Sequence, residues 1–218
     1  MVIPAIIPKS LDDLKTKLEL LSFAKALQID LVDGKFVSNS SWPYQPSGNV
    51  EEIAPFLTKN EIEVDLMVSD PMQAVTDWIQ TGAKRIVFHI ESLSGNISVL
   101  PIFLTEKKGS LLFGLAINND TPLEQLYSFM DQIDFVQLMG IASIGKQGEP
   151  FDNRVIDRVT TIRSLYPNLE ISIDGAVDQT NISALKNAGA NRFVVGSAIL
   201  NSNDPQAVYN ELLKIATS

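Results

Sequence analysis

The sequence predicts an α/β protein whose parallel strands close into a (β/α)8 TIM barrel. Three observations predict it. Eight short apolar runs alternate with amphipathic stretches along the whole 218-residue chain. Several runs are near-continuous in Val, Ile and Leu, as parallel strands buried on both faces require. Eight such units within about 200–250 residues suit a closed barrel better than an open, doubly wound sheet.

The strands read in order as VIPAII (2–7), AKALQIDL (24–31), EIEVDLMV (61–68), KRIVFHI (84–90), SLLFGLAI (110–117), DFVQLM (134–139), LEISID (169–174) and RFVVG (192–196). The helices between them carry their own punctuation. Leu11, Leu14, Leu18 and Leu21 share one face, and Ser10 with Asp13 has the spacing of a capping box. Asp70-Pro71 and Asp204-Pro205 each read as a cap followed by Pro in the first turn, and Thr121-Pro122 repeats that grammar. Gly82 and Gly189 stand where helices should stop. Val155, Val159, Ile162 and Tyr166 form a further stripe that Pro167 ends. No linker or shift of composition divides the chain, so residues 1–218 are expected to form one barrel domain.

Composition narrows the function. Apolar residues make up 45% of the chain and charged residues 20%, enough for a core without staples. The absence of cysteine excludes disulfides, thiolate catalysis and thiolate-bound zinc. A net charge of −9 with scattered basic residues argues against a nucleic-acid or membrane surface, though a few backbone amides can still hold a phosphate. The start, MVIPAIIPKSLDDL, lacks the pattern of a signal peptide, and no window approaches a membrane span, so a cytoplasmic protein is expected.

Two connections are longer than the rest, after the second strand (32–48) and after the sixth (140–151). In a barrel both lie on the C-terminal face, where chemistry is done. Asp30, Asp65 and Asp174 sit toward the ends of the second, third and seventh strands, each inside an apolar run. Alternation puts Gln28 on the side of Asp30. If that side is the interior, the four converge near the barrel mouth. A lone Asp there is as readily a turn former. For Asp33, which precedes Gly34, turn shaping is the better reading. His89, the only histidine, is either a general base or a hydrogen-bonded packing residue, with packing the commoner role. Gly196 and Ser197 after the eighth strand, Gly175 after the seventh, and Gly145 and Gly148 in the long loop suit a phosphate, or merely tight turns.

These segments, taken together and in order, resemble the ribulose-phosphate 3-epimerase family over almost the whole chain. IDLVDGKFVSN is similar to the family's His-x-Asp-x-Met-Asp-Gly segment and the Phe-Val-Pro-Asn after it. VDLMVSDP, FHIES, GLAINNDTP, VQLMGI and IDGAV through GSAIL match later segments. The resemblance implies epimerisation of a phosphorylated ketopentose by two aspartates, here Asp30 and Asp174, with Met67 and Met139 beside the substrate. It also implies a divalent metal held by Asp30, Asp174 and the positions of two family histidines, which here are Gln28 and Asp65. That oxygen-rich set favours Mg or Mn over Zn, or leaves the site without metal. Without a cation the carboxylates would raise one another's pKa. The family's Pro-Gly-Phe-Gly-Gly-Gln loop becomes Ser-Ile-Gly-Lys-Gln-Gly at 143–148, Ala176 replaces a second Gly, and Ala5 replaces a Ser. Lys146 either lends charge to a phosphate or is simply solvated. Two other readings stay open: a non-catalytic phosphosugar-binding barrel, and a related enzyme with another reaction on a phosphorylated ligand. The family often forms oligomers, so a homo-oligomer is the expected chain partner, if any.

Overall fold

A computed structural model describes residues 1–93, 98, 100–107, 109 and 111–217. Eight strands follow one another around a closed barrel, each parallel to the next. They are β1 (Val2–Ile6), β2 (Ala26–Val32), β3 (Glu61–Met67), β4 (Arg85–His89), β5 (Leu112–Ile117), β6 (Phe135–Met139), β7 (Glu170–Asp174) and β8 (Arg192–Val195). Each expected strand is present, its ends displaced by a residue or two. The expected start of the fifth, Ser110, lies outside the described residues.

Strand alternation sorts the side chains. One set faces out: Leu27, Ile29 and Leu31 of β2, for example, belong to one large apolar core with Leu14 and Leu18 of α1 (Leu11–Leu20) and Val75 and Trp78 of α2 (Pro71–Ile79). The other set fills the barrel. Ile3, Ala5, Ala26 and Val194 cluster there, as do Val87, Ala116, Phe135 and Met139. Register places Asp30 beside Asp65 and Met139 beside Asp174 at the C-terminal ends of their strands.

The remaining helices are α3 (Leu100–Lys107), α4 (Glu124–Tyr127), α5 (Arg154–Leu165), α6 (Ile182–Ala188), α7 (Ser197–Leu200) and α8 (Pro205–Thr217). Ser10 caps α1 by accepting from the Asp13 amide at 3.1 Å, and Asp70 caps α2 from the Gln73 amide at 3.1 Å. The Asp13 carboxylate accepts from the Lys9 amide at 2.8 Å, one residue short of the reciprocal bond that a capping box makes. The Thr121 reading is corrected. α4 starts at Glu124 with Leu123 at the cap position and no side-chain cap, so Thr121 lies two residues outside the cap, where its hydroxyl donates to Glu91 Oε1 at 2.6 Å. No helix among the described residues is long and apolar enough to cross a membrane.

The long segment after β2 is pinned back onto the barrel. Ser41 exchanges backbone and side-chain hydrogen bonds with Val32, and Trp42 packs edge-on against Trp78 with ring centres 6.3 Å apart. Asp33 organises the turn: its Oδ1 accepts from the Lys35 and Phe36 amides and its Oδ2 from Ser69. Those bonds outweigh the effect of burial and hold its pKa below the ordinary value. The tip of the segment reaches the loop after β6, where Asn39 Nδ2 donates to the Gly145 carbonyl at 3.0 Å.

Candidate active site

Asp30 leaves β2 and Asp174 leaves β7, and both side chains point into one cavity at the barrel mouth. Met67, Met139, Gly145, Gly148, Gly175, Gly196 and Ser197 line the same cavity. Gln28 and Asp65 lie beneath it, fully buried. The four convergent side chains are therefore stacked, two facing the cavity and two supporting them. One carboxylate oxygen from each of Asp30, Asp65 and Asp174 lies within 4.8 Å of the others.

Two amides hold this arrangement. Gln28 Nε2 donates to Asp30 Oδ1 at 2.8 Å and to Asp174 Oδ2 at 2.7 Å. Gln137 Nε2, from β6, donates to Asp65 Oδ2 at 2.9 Å and to Asp174 Oδ2 at 3.2 Å. His89 stands behind Asp65, with Nε2 2.9 Å from Asp65 Oδ1, and the Phe36 ring tilts against the imidazole at 5.8 Å. His89 does not line the cavity, which places it among the hydrogen-bonded packing residues.

Gln137 is not among the residues that the motifs single out. A signal was there: Gln137 is two residues before Met139 in DFVQLM, so it shares the inward face, and it is the one polar residue within an apolar run. Gln147 is not among those residues either. Its side chain lies against Gly196, and its amide donates to the Ala5 carbonyl at 3.3 Å, so the loop after β6 rests on the end of β8. Gly175 has φ +103, and a Cβ there would meet Ile141 Cγ1 at 2.7 Å, so the turn after β7 needs a residue without a side chain. Lys146 lines the cavity, with its ammonium ion-paired to Glu149 at 2.9 Å.

The electrostatics follow from burial and like charge. Asp174 is pushed up to about 7, by burial first and then by the charge of Asp65. Asp30 is raised well above the ordinary carboxylate value, by burial, then Asp174, then Asp65. Burial alone would lower His89, but the charge and hydrogen bond of Asp65 more than offset it and leave its pKa raised. These groups hold protons in the folded state that the unfolded chain releases. For the two aspartates the stability so gained is full below about pH 4, the unfolded value. It is lost as the pH rises through the folded value, about 7 for Asp174. His89 acts in the same direction, over a window above its unfolded value of about 6.5. Urea unfolding between pH 4 and pH 8 is expected to show stability falling with pH in wild type, and falling less in Asp174→Asn. Parallel curves for the two proteins would contradict the assignment.

The three carboxylates offer hard oxygen donors of the kind Mg2+ or Mn2+ takes, so Asp30, Asp65 and Asp174 can hold a metal ion. Gln28 is turned the other way, with its nitrogen toward the carboxylates. Its Oε1 is buried without a hydrogen-bond partner among the described residues.

Residues 1–200 match the model of the ribulose-phosphate 3 epimerase family. The chain is 30% identical to the ribulose-phosphate 3-epimerase of Schizosaccharomyces pombe over 189 residues, covering 85% of this chain and 79% of that one. It is 30% identical to the cytoplasmic isoform of ribulose-phosphate 3-epimerase from Oryza sativa subsp. japonica, covering 86% of this chain and 81% of that one. Among solved structures, 3-keto-L-gulonate-6-phosphate decarboxylase from Vibrio cholerae superposes with a TM-score of 0.72 over 100% of this chain and 97% of that one. At 14% identity that likeness concerns the barrel alone.

Proposed function

Because the chain belongs to the ribulose-phosphate 3-epimerase family, we propose that it inverts the carbon beside the carbonyl of a phosphorylated ketopentose, with Asp30 and Asp174 as the proton-transfer pair. One observation carries the reading. Two carboxylates from separate strands face one cavity, tied by a single amide at 2.8 and 2.7 Å, and both have raised pKa values.

Epimerisation needs one ionised acid and one protonated acid at neutral pH. Burial and mutual repulsion favour that: both carboxyls are pushed upward, so the pair holds a proton more readily than free aspartates do. The ionised member takes the proton from the carbon, and the C–H electron pair forms a carbon–carbon double bond as the carbonyl becomes an enediolate. The protonated member then delivers its proton to the opposite face, and the double bond returns to the carbonyl. Atoms and charge balance, and the two aspartates exchange roles for the reverse reaction.

Met67 and Met139 give the cavity apolar walls that keep water from the enediolate. We place the phosphate against Gly175, Gly196 and Ser197, with Gly145 and Gly148 facing them. A divalent cation held by Asp30, Asp65 and Asp174 would lend positive charge to the enediolate oxygen. We read the enzyme as cytoplasmic, in keeping with the name of the rice relative.

Proton NMR of ribulose 5-phosphate with the protein in D2O tests the reading. The expected result is loss of the signal from the proton on C3 together with growth of the C3 epimer. Binding without exchange would leave a phosphosugar-binding barrel. A product formed without exchange at that carbon would point to a different reaction.

A further inference from the structure

Three buried carboxylates that meet at one point need positive charge or N–H groups between them. Here N–H groups are present. The two nitrogens, Gln28 Nε2 and Gln137 Nε2, make four contacts of 2.7, 2.8, 2.9 and 3.2 Å, and these reach all three aspartates. Asp174 Oδ2 receives one from each amide. Both amide oxygens, Gln28 Oε1 and Gln137 Oε1, are buried with no partner among the described residues. A side-chain amide has one donor end and one acceptor end. A cation would be met by the oxygen, but both side chains present the nitrogen. The orientation points both donor ends at the carboxylates and both acceptor ends away from them.

We propose that Gln28 and Gln137 are positioning residues: a pair of neutral amides that assembles Asp30, Asp65 and Asp174 into a working cluster without a cation, and that competes with one. Each amide hydrogen directed at a carboxylate oxygen occupies a lone pair that a metal would use. It also places partial positive charge where the ion would sit. The clamp should therefore lower the cluster's affinity for divalent metal. Its value to catalysis rests on the epimerase reading above, but its effect on metal binding does not.

The experiment is calorimetric addition of Mn2+ and of Mg2+ to chelator-treated wild type and to Gln137→Leu and Gln28→Leu. Removing a ligand, or a residue that merely packs, weakens metal binding or leaves it unchanged. Removing a competing donor strengthens it, and each variant is expected to bind Mn2+ about tenfold more tightly than wild type, the scale on which neighbouring groups tune metal sites. Wild type alone supplies a second measurement should a variant fail to fold. In chelator-treated protein the side-chain NH2 protons of Gln28 and Gln137 should exchange slowly with solvent, and saturating Mn2+ or Mg2+ should displace them from the carboxylates and speed that exchange. Weaker or equal Mn2+ affinity in the variants overturns the clamp, as do side-chain amide protons that exchange with solvent as fast in the metal-free protein as in the metal-loaded one. Neither readout uses turnover, so failure of the clamp and failure of the epimerase reading are told apart.

Discussion

Asp174→Asn is expected to lower epimerisation by about 10²–10⁴-fold, the usual contribution of a positioned acid or base. The barrel should remain intact. The Asn oxygen can still accept from Gln28 and Gln137, which reach Asp174 Oδ2 at 2.7 and 3.2 Å, so the supporting bonds survive. What is lost is the group that carries the proton. The substitution also removes a carboxyl that burial and the charge of Asp65 push up to about 7, so the variant should melt no lower than wild type at pH 8. Asp30→Asn belongs in the same experiment. In a two-acid mechanism each residue serves one face of the carbon, so both variants lose inversion. The one that retains the base for the chosen epimer can still wash deuterium into it. Inversion at the parental rate in either variant would remove that residue from the mechanism.

The fold was legible because its signals are local and repeated. Eight apolar runs separated by capped helices leave few alternatives, and the eight strands appear where the runs are. A boundary erred where the helix begins later than its signal: α4 starts at Glu124, and Thr121 stays outside it on Glu91. Within the site, period-two alternation along β2 was enough to place Gln28 with Asp30, and they touch at 2.8 Å. The ends of β3 and β7 were enough to bring in Asp65 and Asp174. Legibility failed for contacts that depend on closure. Gln137 looks like an isolated polar residue until β6 is bent round to face β2 across the interior. Gln147 looks like loop until it meets Gly196 and Ala5, far away in sequence. The orientation of the Gln28 amide was not legible either, because sequence names the group but not which end faces in.

The same limitation hid the other polar layer of the barrel, and with it the largest effect expected on stability. Glu63, Arg85, Glu170 and Arg192 stand near the N-terminal ends of their strands, where a charged residue reads as a solvated end. In the closed barrel they meet. Glu63 Oε2 accepts from Arg85 Nε at 2.6 Å and from Arg192 Nη2 at 2.8 Å, and the Glu63 side chain is 0% exposed. Arg85 also pairs with Glu170, and its guanidinium lies 4.0 Å from the centre of the Phe135 ring. The four charges sum to zero only while Glu63 is ionised. Glu63→Gln leaves two buried guanidiniums against one half-exposed carboxylate. Breaking a buried pair from one side costs about 3–5 kcal/mol. At about 2–4 °C per kcal/mol for a chain of this size, the melting temperature should fall by roughly 6–20 °C. The paired variant Glu63→Met with Arg192→Met tests the cause, because it restores neutrality and leaves Arg85 with Glu170. It should melt above the single variant despite removing more polar contacts. A single variant that melts with the parent would mean that water or a shifted Glu170 already neutralises the arginines. A double variant that melts below the single one would mean that the layer is held by its hydrogen bonds rather than by its balance of charge.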